Sequence, residues 1–275
     1  MMRQLIISSL LIGSPLFSHN AAAQAPLSLR GSDTLAPYMN DVIATSNLEK
    51  SVVYQGGGSS LGETAILDKT QHLAPMSRSF KPEQLAKAAA AGIQVAEHVI
   101  GLDGVGVFIN ESNSTPSLTL DQLKKIYSCE IKNWSEVGGP DRAITVYRRD
   151  DASGTTDTFK SLVGLTNFGT CAKVLTHTTD IATTTAAEPS AVGYAGLSAL
   201  QDGNRDLPLA KDASSKAFTP SAENIRSFNY PLARRLYVYE AVGSLTPAEQ
   251  TLLDTILDRS VSDPILMKHE FLTVD

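Results

Sequence analysis

The run VYRRDDASGTTDTF, residues 146–159, carries the pattern from which the fold can be argued. The residues around Val146 predict the end of a β-strand, an Arg-Asp turn follows, and Ser-Gly-Thr opens a helix. The first N–H groups of a helix lack partners within it, and the helix dipole places partial positive charge there. Small residues at this point leave room for an anion, and an upstream arginine can add a charge-assisted contact. The stretch therefore predicts half of an oxyanion-binding site.

A purely structural interpretation of the same stretch stands beside this one. Ser153 could be an ordinary N-cap, and Arg149 could form an ordinary surface ion pair with Asp151. The choice between the two interpretations depends on whether other parts of the chain repeat the pattern.

The pattern of strand, small hydroxylic turn and helix occurs twice more. A strand at 27–30 leads into Gly31-Ser32-Asp33-Thr34-Leu35 and a helix, and a strand at 51–55 leads into Gly56-Gly57-Gly58-Ser59-Ser60 and another helix. Such alternation predicts an α/β fold with parallel strands, in which ligands bind at the carboxyl ends of strands. We therefore expect three helix N-termini to converge on one anion. The residues that they carry are Thr34, Ser59, Ser153 and Thr155.

The length and composition predict two lobes rather than one. A chain of 275 residues with 42% hydrophobic content can bury a full core. Two extended apolar runs, at 94–109 and 232–239, suit strands that cross between lobes. We expect lobe 1 to comprise residues 26–101 and 233–275, and lobe 2 to comprise residues 102–232.

Shorter signals predict further elements. Thr119 with Gln122, and Thr246 with Glu249, form two capping boxes that mark helix starts. The segment 202–220 is polar and contains proline, so it predicts little regular structure, and the tail from residue 269 onwards has no assignment.

Residues 1–25 have the composition of a secretory signal peptide. One Arg precedes a mostly apolar run, and small residues offer cleavage sites after Ala23 or Ala25. The apolar run is too short to span a bilayer comfortably, and no second long apolar run follows. Because no cysteine lies near the cleavage site, a lipoprotein anchor is not expected. We predict an exported, soluble protein held in the periplasm of a two-membrane envelope.

The two cysteines, Cys129 and Cys171, would then lie in a compartment that permits disulfides. A bridge between them would close a loop of about 40 residues and stabilise the fold by roughly 3–4 kcal/mol in the chain-entropy model. The alternative is two buried free thiols.

The formal net charge of −6 argues against nucleic acid or an anionic membrane surface as a partner. It does not argue against a small anion, because local dipoles determine such a site. The five histidines show no metal-ligand spacing with one another or with cysteine, and no C-x-x-C motif occurs. No metal and no cofactor are therefore expected.

Two enzyme motifs resemble the glycine-rich turn. Gly58-Ser59-Ser60-Leu61-Gly62 matches the nucleophile elbow G-x-S-x-G, which would make Ser60 the nucleophile of a serine hydrolase. Two histidines follow late enough in the chain, but neither sits in a recognisable turn. The same region resembles a P-loop in which Glu63 replaces the lysine, and this carboxylate would repel nucleotide phosphates. The hydrolase remains an alternative, and the P-loop is rejected.

Four segments of the chain have the residue types of one known family. They are Gly31-Ser32-Asp33-Thr34, Tyr54-Gln55-Gly56-Gly57-Gly58-Ser59-Ser60, Leu120 to Gly139, and Arg148-Arg149-Asp150-Asp151-Ala152-Ser153-Gly154-Thr155. Together they resemble the periplasmic phosphate-binding protein of the phosphate ABC transporter, over nearly all of the chain after residue 25. The resemblance implies a type 2 periplasmic-binding-protein fold, in which two α/β lobes joined by two crossover strands close on a dehydrated phosphate.

The resemblance also implies roles for individual residues. The first helix would offer the Thr34 hydroxyl with the N–H groups of Thr34 and Leu35, and the second helix would offer Ser59. From the opposite lobe, the Arg149 guanidinium would pair with the anion while Asp151 holds it in place. The remaining hydroxyl and N–H groups would come from Ser153, Gly154 and Thr155.

One position departs from the best-known pattern of this family. Those proteins carry an Asp after the third strand, which accepts a hydrogen bond from the proton that phosphate has and sulfate lacks. Here the segment is Ala74-Pro75-Met76-Ser77-Arg78. Ser77 could accept that bond and Arg78 could add a second cation, or Arg78 could only pair with a nearby carboxylate. Selectivity against sulfate therefore does not follow from the resemblance.

The sequence thus predicts a monomeric binding protein that captures inorganic phosphate and presents it to a membrane-embedded ABC permease. No covalent chemistry is expected, since dipoles and one or two arginines would hold the anion while the lobes close. The alternatives are a receptor for another tetrahedral oxyanion such as sulfate, a phosphate sensor without a transporter partner, and the serine hydrolase that uses Ser60.

Overall fold

The computed structural model describes residues 25–274. The predicted signal peptide therefore lies outside the described residues, except for Ala25. The strands are β1 (Leu27–Gly31), β2 (Val52–Gly57), β3 (Leu73–Met76), β4 (Val95–Asn110), β5 (Leu118–Thr119), β6 (Thr145–Arg149), β7 (Lys173–Leu175), β8 (Ala191–Gly196), β9 (Asn204–Asp206), β10 (Leu209–Ala210) and β11 (Ala233–Ala241). The α-helices are α1 (Ala36–Thr45), α2 (Ser59–Leu67), α3 (Pro82–Ala90), α4 (Leu120–Tyr127), α5 (Gly154–Val163), α6 (Thr178–Ala187), α7 (Ala222–Arg226), α8 (Pro247–Leu257) and α9 (Arg259–Lys268).

Two long antiparallel strands, β4 and β11, connect the two halves of the molecule. They pair along their length from Ala233 with Gly104 to Ala241 with Val95, and the remainder of β4 pairs with β8. The resulting seven-stranded sheet has the order β3-β11-β4-β8-β6-β7, with β9 also paired to β4. β4 and β11 are the two crossover strands that the sequence predicts.

Buried apolar side chains form two large clusters that divide at the middle of the crossover strands. One cluster uses residues up to Ile100 and again from Leu236 onwards, and we call this part of the chain lobe 1. The other uses residues from Leu102 to Ala233, and we call this part lobe 2. The predicted α/β architecture with two lobes is confirmed, whereas the predicted boundaries between the lobes stay a prediction.

The expectation of parallel strands is wrong for the crossover strands. The pairs β1–β2, β6–β8 and β6–β7 are parallel. β4 runs antiparallel to β11, because a chain that leaves lobe 1 along β4 and returns along β11 must run in both directions. β4 also runs antiparallel to β8 of lobe 2. Helices α6 and α9 and strand β9 were not predicted. α6 is rich in threonine, a residue of low helix propensity, so its sequence does not indicate a helix clearly.

Both predicted capping boxes are present. The Gln122 N–H donates to the Thr119 hydroxyl over 3.1 Å, and the Thr119 N–H donates to the Gln122 side chain over 2.8 Å. At the start of α8, Thr246 and Glu249 exchange the same two bonds, over 3.3 and 2.9 Å. These local patterns define helix starts without help from the rest of the chain.

The predicted disulfide between Cys129 and Cys171 is confirmed, and the alternative of two free thiols is excluded. The two Cα atoms lie 6.0 Å apart, and the residues are 42 positions apart in the chain. The bridge joins the end of α4 to the segment before β7, so it constrains one loop of lobe 2.

The C-terminal tail lies against both lobes. Phe271 packs in the lobe 1 cluster, and the next residue, Leu272, packs against the lobe 2 cluster. Leu272 also exchanges two backbone hydrogen bonds with Leu102 on β4, over 2.7 and 3.0 Å. The tail that had no assignment from sequence therefore extends the pairing of a crossover strand.

Candidate anion-binding site

The three predicted helix N-termini meet between the two lobes. Thr34 lies in a short 3₁₀ helix that runs into α1, Ser59 is the first residue of α2, and Gly154 is the first residue of α5. The hydroxyl oxygens of Thr34 and Thr155 lie 3.1 Å apart, although the residues belong to different lobes. A Cβ atom on Gly154 would overlap the Ser59 hydroxyl. The two lobes therefore bring these turns into direct contact.

Three consecutive glycines shape the turn before α2. Gly56, Gly57 and Gly58 have φ values of 61°, 93° and 109°, which residues with side chains rarely adopt. A Cβ atom on Gly58 would also collide with the carbonyl of Ala152, in the turn before α5. The Gly57 N–H donates to the Asp33 carboxylate over 2.8 Å, which joins the first turn to the second. The glycine run thus permits the close approach of the helix starts.

Ser153 caps α5 and also borders the meeting point. Its hydroxyl accepts a 3.4 Å bond from the Thr156 N–H, and its own N–H donates to the Asp150 carboxylate over 3.0 Å. A hydroxyl that accepts a capping bond can still donate its proton to an anion. The N–H groups of Gly154 and Thr155 belong to the first turn of α5, where a helix supplies no partner. The structural and functional interpretations of this turn are compatible.

Arg149 is a buried cation at the same place, with 1% of its surface exposed. Its Nη1 donates to the Thr178 hydroxyl over 2.6 Å, and its Nη2 donates to the Asp33 carboxylate of lobe 1 over 2.7 Å. Among the described residues, its Nε has no hydrogen-bond partner. A buried guanidinium N–H without a partner costs free energy, and an anion placed against it would remove that cost.

The prediction that Asp151 holds the Arg149 guanidinium is wrong. Asp151 is exposed and pairs with Arg148, whose Nη1 lies 2.9 Å from the Asp151 Oδ1. Arg148 and Arg149 are neighbours on β6, and successive side chains of a strand point to opposite faces. Arg149 therefore faces the interior, where Asp33 takes the role that the resemblance assigned to Asp151.

A second buried arginine, Arg234 on β11, was not identified from the sequence. Its Nε and Nη2 both donate to the carboxylate of Asp103, the residue opposite it on β4, over 2.9 and 2.6 Å. Its Nη1 donates to the Thr155 hydroxyl over 3.0 Å, and its Nη2 donates to the Thr34 hydroxyl over 3.3 Å. Charged residues are rarely buried unless they are paired. An arginine in one apolar crossover strand and an aspartate in the other could therefore have indicated this buried ion pair from the sequence.

The guanidinium of Arg78 is occupied by carboxylates and a hydroxyl. Its Nη2 donates to Glu63 over 2.9 Å and to the Ser60 hydroxyl over 3.0 Å, and its Nε donates to Asp157 over 2.8 Å. Burial alone lowers the pKa of Arg78, but the Glu63 and Asp157 carboxylates raise it above its ordinary value. Of the two roles that the sequence left open for Arg78, the structure therefore shows the pair with carboxylates and not the second cation at the anion. Arg234 supplies the second guanidinium beside Thr34.

Ser77 and Leu35, both predicted to bind the anion, differ in how their polar groups are bonded. Ser77 is fully buried, and its hydroxyl lies 3.5 Å from the Ser59 hydroxyl. The Ser77 N–H donates to the same Ser59 oxygen over 3.2 Å. The Leu35 N–H instead donates to the Ser32 carbonyl within its own turn, over 3.1 Å. Ser77 thus borders the site, whereas the Leu35 N–H already has a partner.

Two cavities flank this cluster. One, of about 530 Å³, is lined by Arg78 of lobe 1 and Thr158 of lobe 2. The other, of about 310 Å³, is lined by Thr34 of lobe 1 and Thr178 of lobe 2. Because each cavity has walls from both lobes, the two cavities mark the ends of an interlobe cleft with the cluster between them.

Other kinds of site have weaker support in the part of the chain that the structure describes. There, no group of three or more His, Cys, Asp or Glu is arranged to hold a metal ion. No helix within residues 25–274 has both the length and the apolar character of a membrane span. The hydroxyl of Ser60 contacts Arg78 and Asp157, which is not the histidine contact that a serine nucleophile needs.

The fold and the site together define a class of protein. Two α/β lobes, two crossover strands and an enclosed cluster of donors between the lobes are the features of a two-lobed ligand-binding protein. The chain belongs to the PBP superfamily, whose domain model matches residues 18–254.

Similar proteins support the same class. The chain is 29% identical to the phosphate-binding protein PstS of Staphylococcus saprophyticus over 217 residues, 76% of this chain and 68% of that protein. It is 25% identical to PstS of Bacillus subtilis over 265 residues, 92% of this chain and 82% of that protein. A Clostridium perfringens structure, described as a phosphate ABC transporter substrate-binding protein with bound phosphate, has a TM-score of 0.80 and 25% identity, and covers 91% of this chain and 100% of its own. These likenesses confirm the resemblance that the motifs indicate.

Proposed function

We propose that this protein binds inorganic phosphate between its lobes and delivers it to an ABC-type permease. The observation that carries the proposal is the enclosed meeting point of three helix N-termini with two buried arginines. The relatives support phosphate as the ligand, because proteins similar to this one are named for binding it.

Binding uses fixed dipoles and hydrogen-bond donors, without covalent chemistry. In the proposed complex, the Arg149 Nε and the N–H groups at the start of α5 donate to the phosphate oxygens. Each charge-assisted bond contributes about 1.5–3 kcal/mol. Arg234 holds the hydroxyls of the two lobes at the site and keeps positive charge near the anion. Four hydroxyl groups complete the donor set, from Thr34, Ser59, Ser153 and Thr155.

The burial of the site supports a small free anion. Ser59 is 0% exposed and Arg149 is 1% exposed, while Thr155 and Thr34 are 2% and 5% exposed. An ester group on the anion would need space that these side chains occupy. Inorganic phosphate therefore suits the enclosure better than an organic phosphate.

The position of Ser77 bears on the choice between phosphate and sulfate. Asp33 and Asp103 are the carboxylates next to the cluster, and each already accepts a bond from a buried arginine. We assign to Ser77 the hydrogen bond from the phosphate proton, because a hydroxyl can accept as well as donate. The second candidate is a receptor for a sulfate-like oxyanion, since the same hydroxyl can donate to an anion without a proton.

The proposal also includes the setting of the protein. We infer a monomer without catalytic activity, exported through residues 1–25 to the periplasm and loaded there. Delivery is tested by phosphate uptake in cells that lack this chain. Restored uptake on re-expression, only when the permease is present, supports delivery, and uptake that does not depend on this chain supports a sensor.

Calorimetry tests the binding itself. Protein is unfolded and refolded, with its disulfide intact, to remove bound ligand, and it is then titrated with phosphate and separately with sulfate. One-to-one binding of phosphate without binding of sulfate supports the proposal. Binding of both anions moves the function to a general oxyanion receptor, and binding of neither overturns it.

A further inference from the structure

A charged cluster beside the anion site joins the two lobes directly. Asp157 lies on α5, one turn beyond the helix start that borders the site. Its Oδ2 lies 2.8 Å from the Arg78 Nε and 3.1 Å from the Lys81 Nζ, and both cations belong to lobe 1. The Ser60 hydroxyl of α2 lies 3.4 Å from the same oxygen. Lobe 2 therefore contributes one carboxylate to a group of donors from lobe 1.

Glu63 prepares lobe 1 for this contact. Its carboxylate is 2% exposed and accepts bonds from both terminal nitrogens of Arg78. The same carboxylate accepts the Lys81 N–H over 2.7 Å. All of these bonds lie within lobe 1, so the Arg78 guanidinium and the Lys81 backbone keep their positions without help from lobe 2. Glu63, which stands where a P-loop has its lysine, thus stabilises the structure of lobe 1.

We propose that Asp157 is a positioning residue that holds the lobes closed over the bound anion. Asp157 shares α5 with Gly154 and Thr155, so an ion pair at Asp157 fixes the helix start that faces the anion. Opening of the cleft would separate Asp157 from Arg78 and Lys81 and leave its charge without these partners. The ion pairs therefore act against ligand release. This inference rests on the proposed function and adds the control of release to it.

The location of Asp157 separates this role from anion binding. A further interlobe ion pair, Asp33 with Arg149, includes a proposed ligand-binding arginine, so its loss would affect both roles. Within residues 25–274, Asp157, Arg78 and Lys81 form no bond to the hydroxyls of the site. Their side chains line the 530 Å³ cavity at one end of the cleft, where salt can reach them.

Stopped-flow kinetics of phosphate binding and release test the inference, with Asp157→Asn as the main variant. We expect the release rate to rise about tenfold while the association rate stays within about twofold, because the contact exists only after closure. Asp151→Asn is the matched control, since Asp151 makes an exposed ion pair with Arg148 inside lobe 2. Asp157→Glu should restore part of the slow release. High salt should accelerate release from the wild type more than from Asp157→Asn.

Small-angle scattering without phosphate gives a second readout. Asp157→Asn should be more open than the wild type, and Lys81→Ala should change in the same direction by less. Release rates of Asp157→Asn that match those of Asp151→Asn overturn the inference and leave phosphate binding intact. A wild type that binds no phosphate overturns the proposed function instead, and the scattering difference then decides whether Asp157 closes the lobes. Lys81→Ala gives the same kinetic test if the Asp157 variants do not fold.

Discussion

At the scale of single residues, the environment of a side chain differs sharply between neighbours in the chain. Arg148 lies near the surface beside Asp151, whereas Arg149 is buried between the lobes, where its Nε–H has no hydrogen-bond partner within residues 25–274. Because both side chains are arginines, substituting each in turn separates the effect of its position from the effect of its charge on phosphate binding.

We expect Arg149→Ala to weaken phosphate binding by at least about tenfold, because it removes a charge-assisted bond from an enclosed site. Arg148→Ala removes the same charge from the same strand and should change the dissociation constant by less than about twofold. Calorimetry on the two variants makes the comparison. Equal affinities in both variants would exclude Arg149 from the site.

A second prediction concerns Asp206, at the end of β9, and the stability of the fold without ligand. Burial raises its pKa to about 7, and its Oδ1 has no hydrogen-bond partner among the described residues. In the unfolded chain this carboxyl ionises at about pH 4, whereas in the folded protein it stays protonated up to about pH 7. The free energy of unfolding therefore falls as pH rises from about 4 to about 7. Asp206→Asn should therefore raise the free energy of unfolding at pH 8 by up to about 3 kcal/mol.

Thermal unfolding at several pH values checks this prediction. The gain from Asp206→Asn should shrink as pH falls and disappear at about pH 3, where the wild-type carboxyl is mostly protonated in both states. Asp202→Asn alters an exposed carboxylate in the turn before β9 and serves as the control. A gain that does not vary with pH would contradict the proposed cause.

At the scale of elements, the two capping boxes have the same local pattern but different tertiary surroundings. Gln122 exchanges two bonds with Thr119 in its own box. Glu249 is 0% exposed and also accepts the His72 N–H over 2.6 Å, so it links the start of α8 to the start of β3. Burial raises the pKa of Glu249, but the N–H groups of Thr246 and His72 outweigh burial and lower it.

We expect Glu249→Ala to destabilise the protein by about 2–4 kcal/mol, because two buried N–H groups lose their acceptor. Gln122→Ala should cost about 1 kcal/mol, the loss of one capping interaction. Denaturant unfolding of both variants measures the difference. Since the lowered pKa of Glu249 stabilises the fold above the ordinary carboxyl range, that stabilisation should fade as pH drops below it. Similar losses for the two variants would contradict the tertiary role of Glu249.

At the scale of the whole molecule, closure between the lobes and stability within a lobe are separate properties. The disulfide between Cys129 and Cys171 closes a loop of lobe 2 that contains β6 and the start of α5, but the bridge itself joins the end of α4 to the segment before β7. The double variant Cys129→Ala with Cys171→Ala should lose roughly 3–4 kcal/mol of stability. Its phosphate affinity should stay within about threefold of the wild type at temperatures where it is folded. A large loss of affinity in folded protein would show that the loop supports the site.

Features set by neighbours in the chain could be predicted from the sequence by itself. The strand, hydroxylic turn and helix patterns, the capping boxes at Thr119 and Thr246, and the glycine run before α2 all depend on interactions within a few residues. The two apolar runs also identified the crossover strands, because such runs need burial along their whole length. These local signals were enough to place Ser59 and the start of α5 at one site.

Features set by contacts across the chain were decided only by the tertiary structure. The partner of Arg149 is Asp33, 116 positions away, and not the nearby Asp151 that the family resemblance implied. The sequence left open whether Arg78 contacts the anion or a carboxylate, and the structure pairs it with Glu63. Arg234 was not identified because its partner lies on another strand. Long side chains choose partners by distance in space, since the energy of an ion pair depends on separation and burial and not on position in the chain. For this reason the sequence determined where the site lies, and only the packing of the two lobes determined which arginines line it.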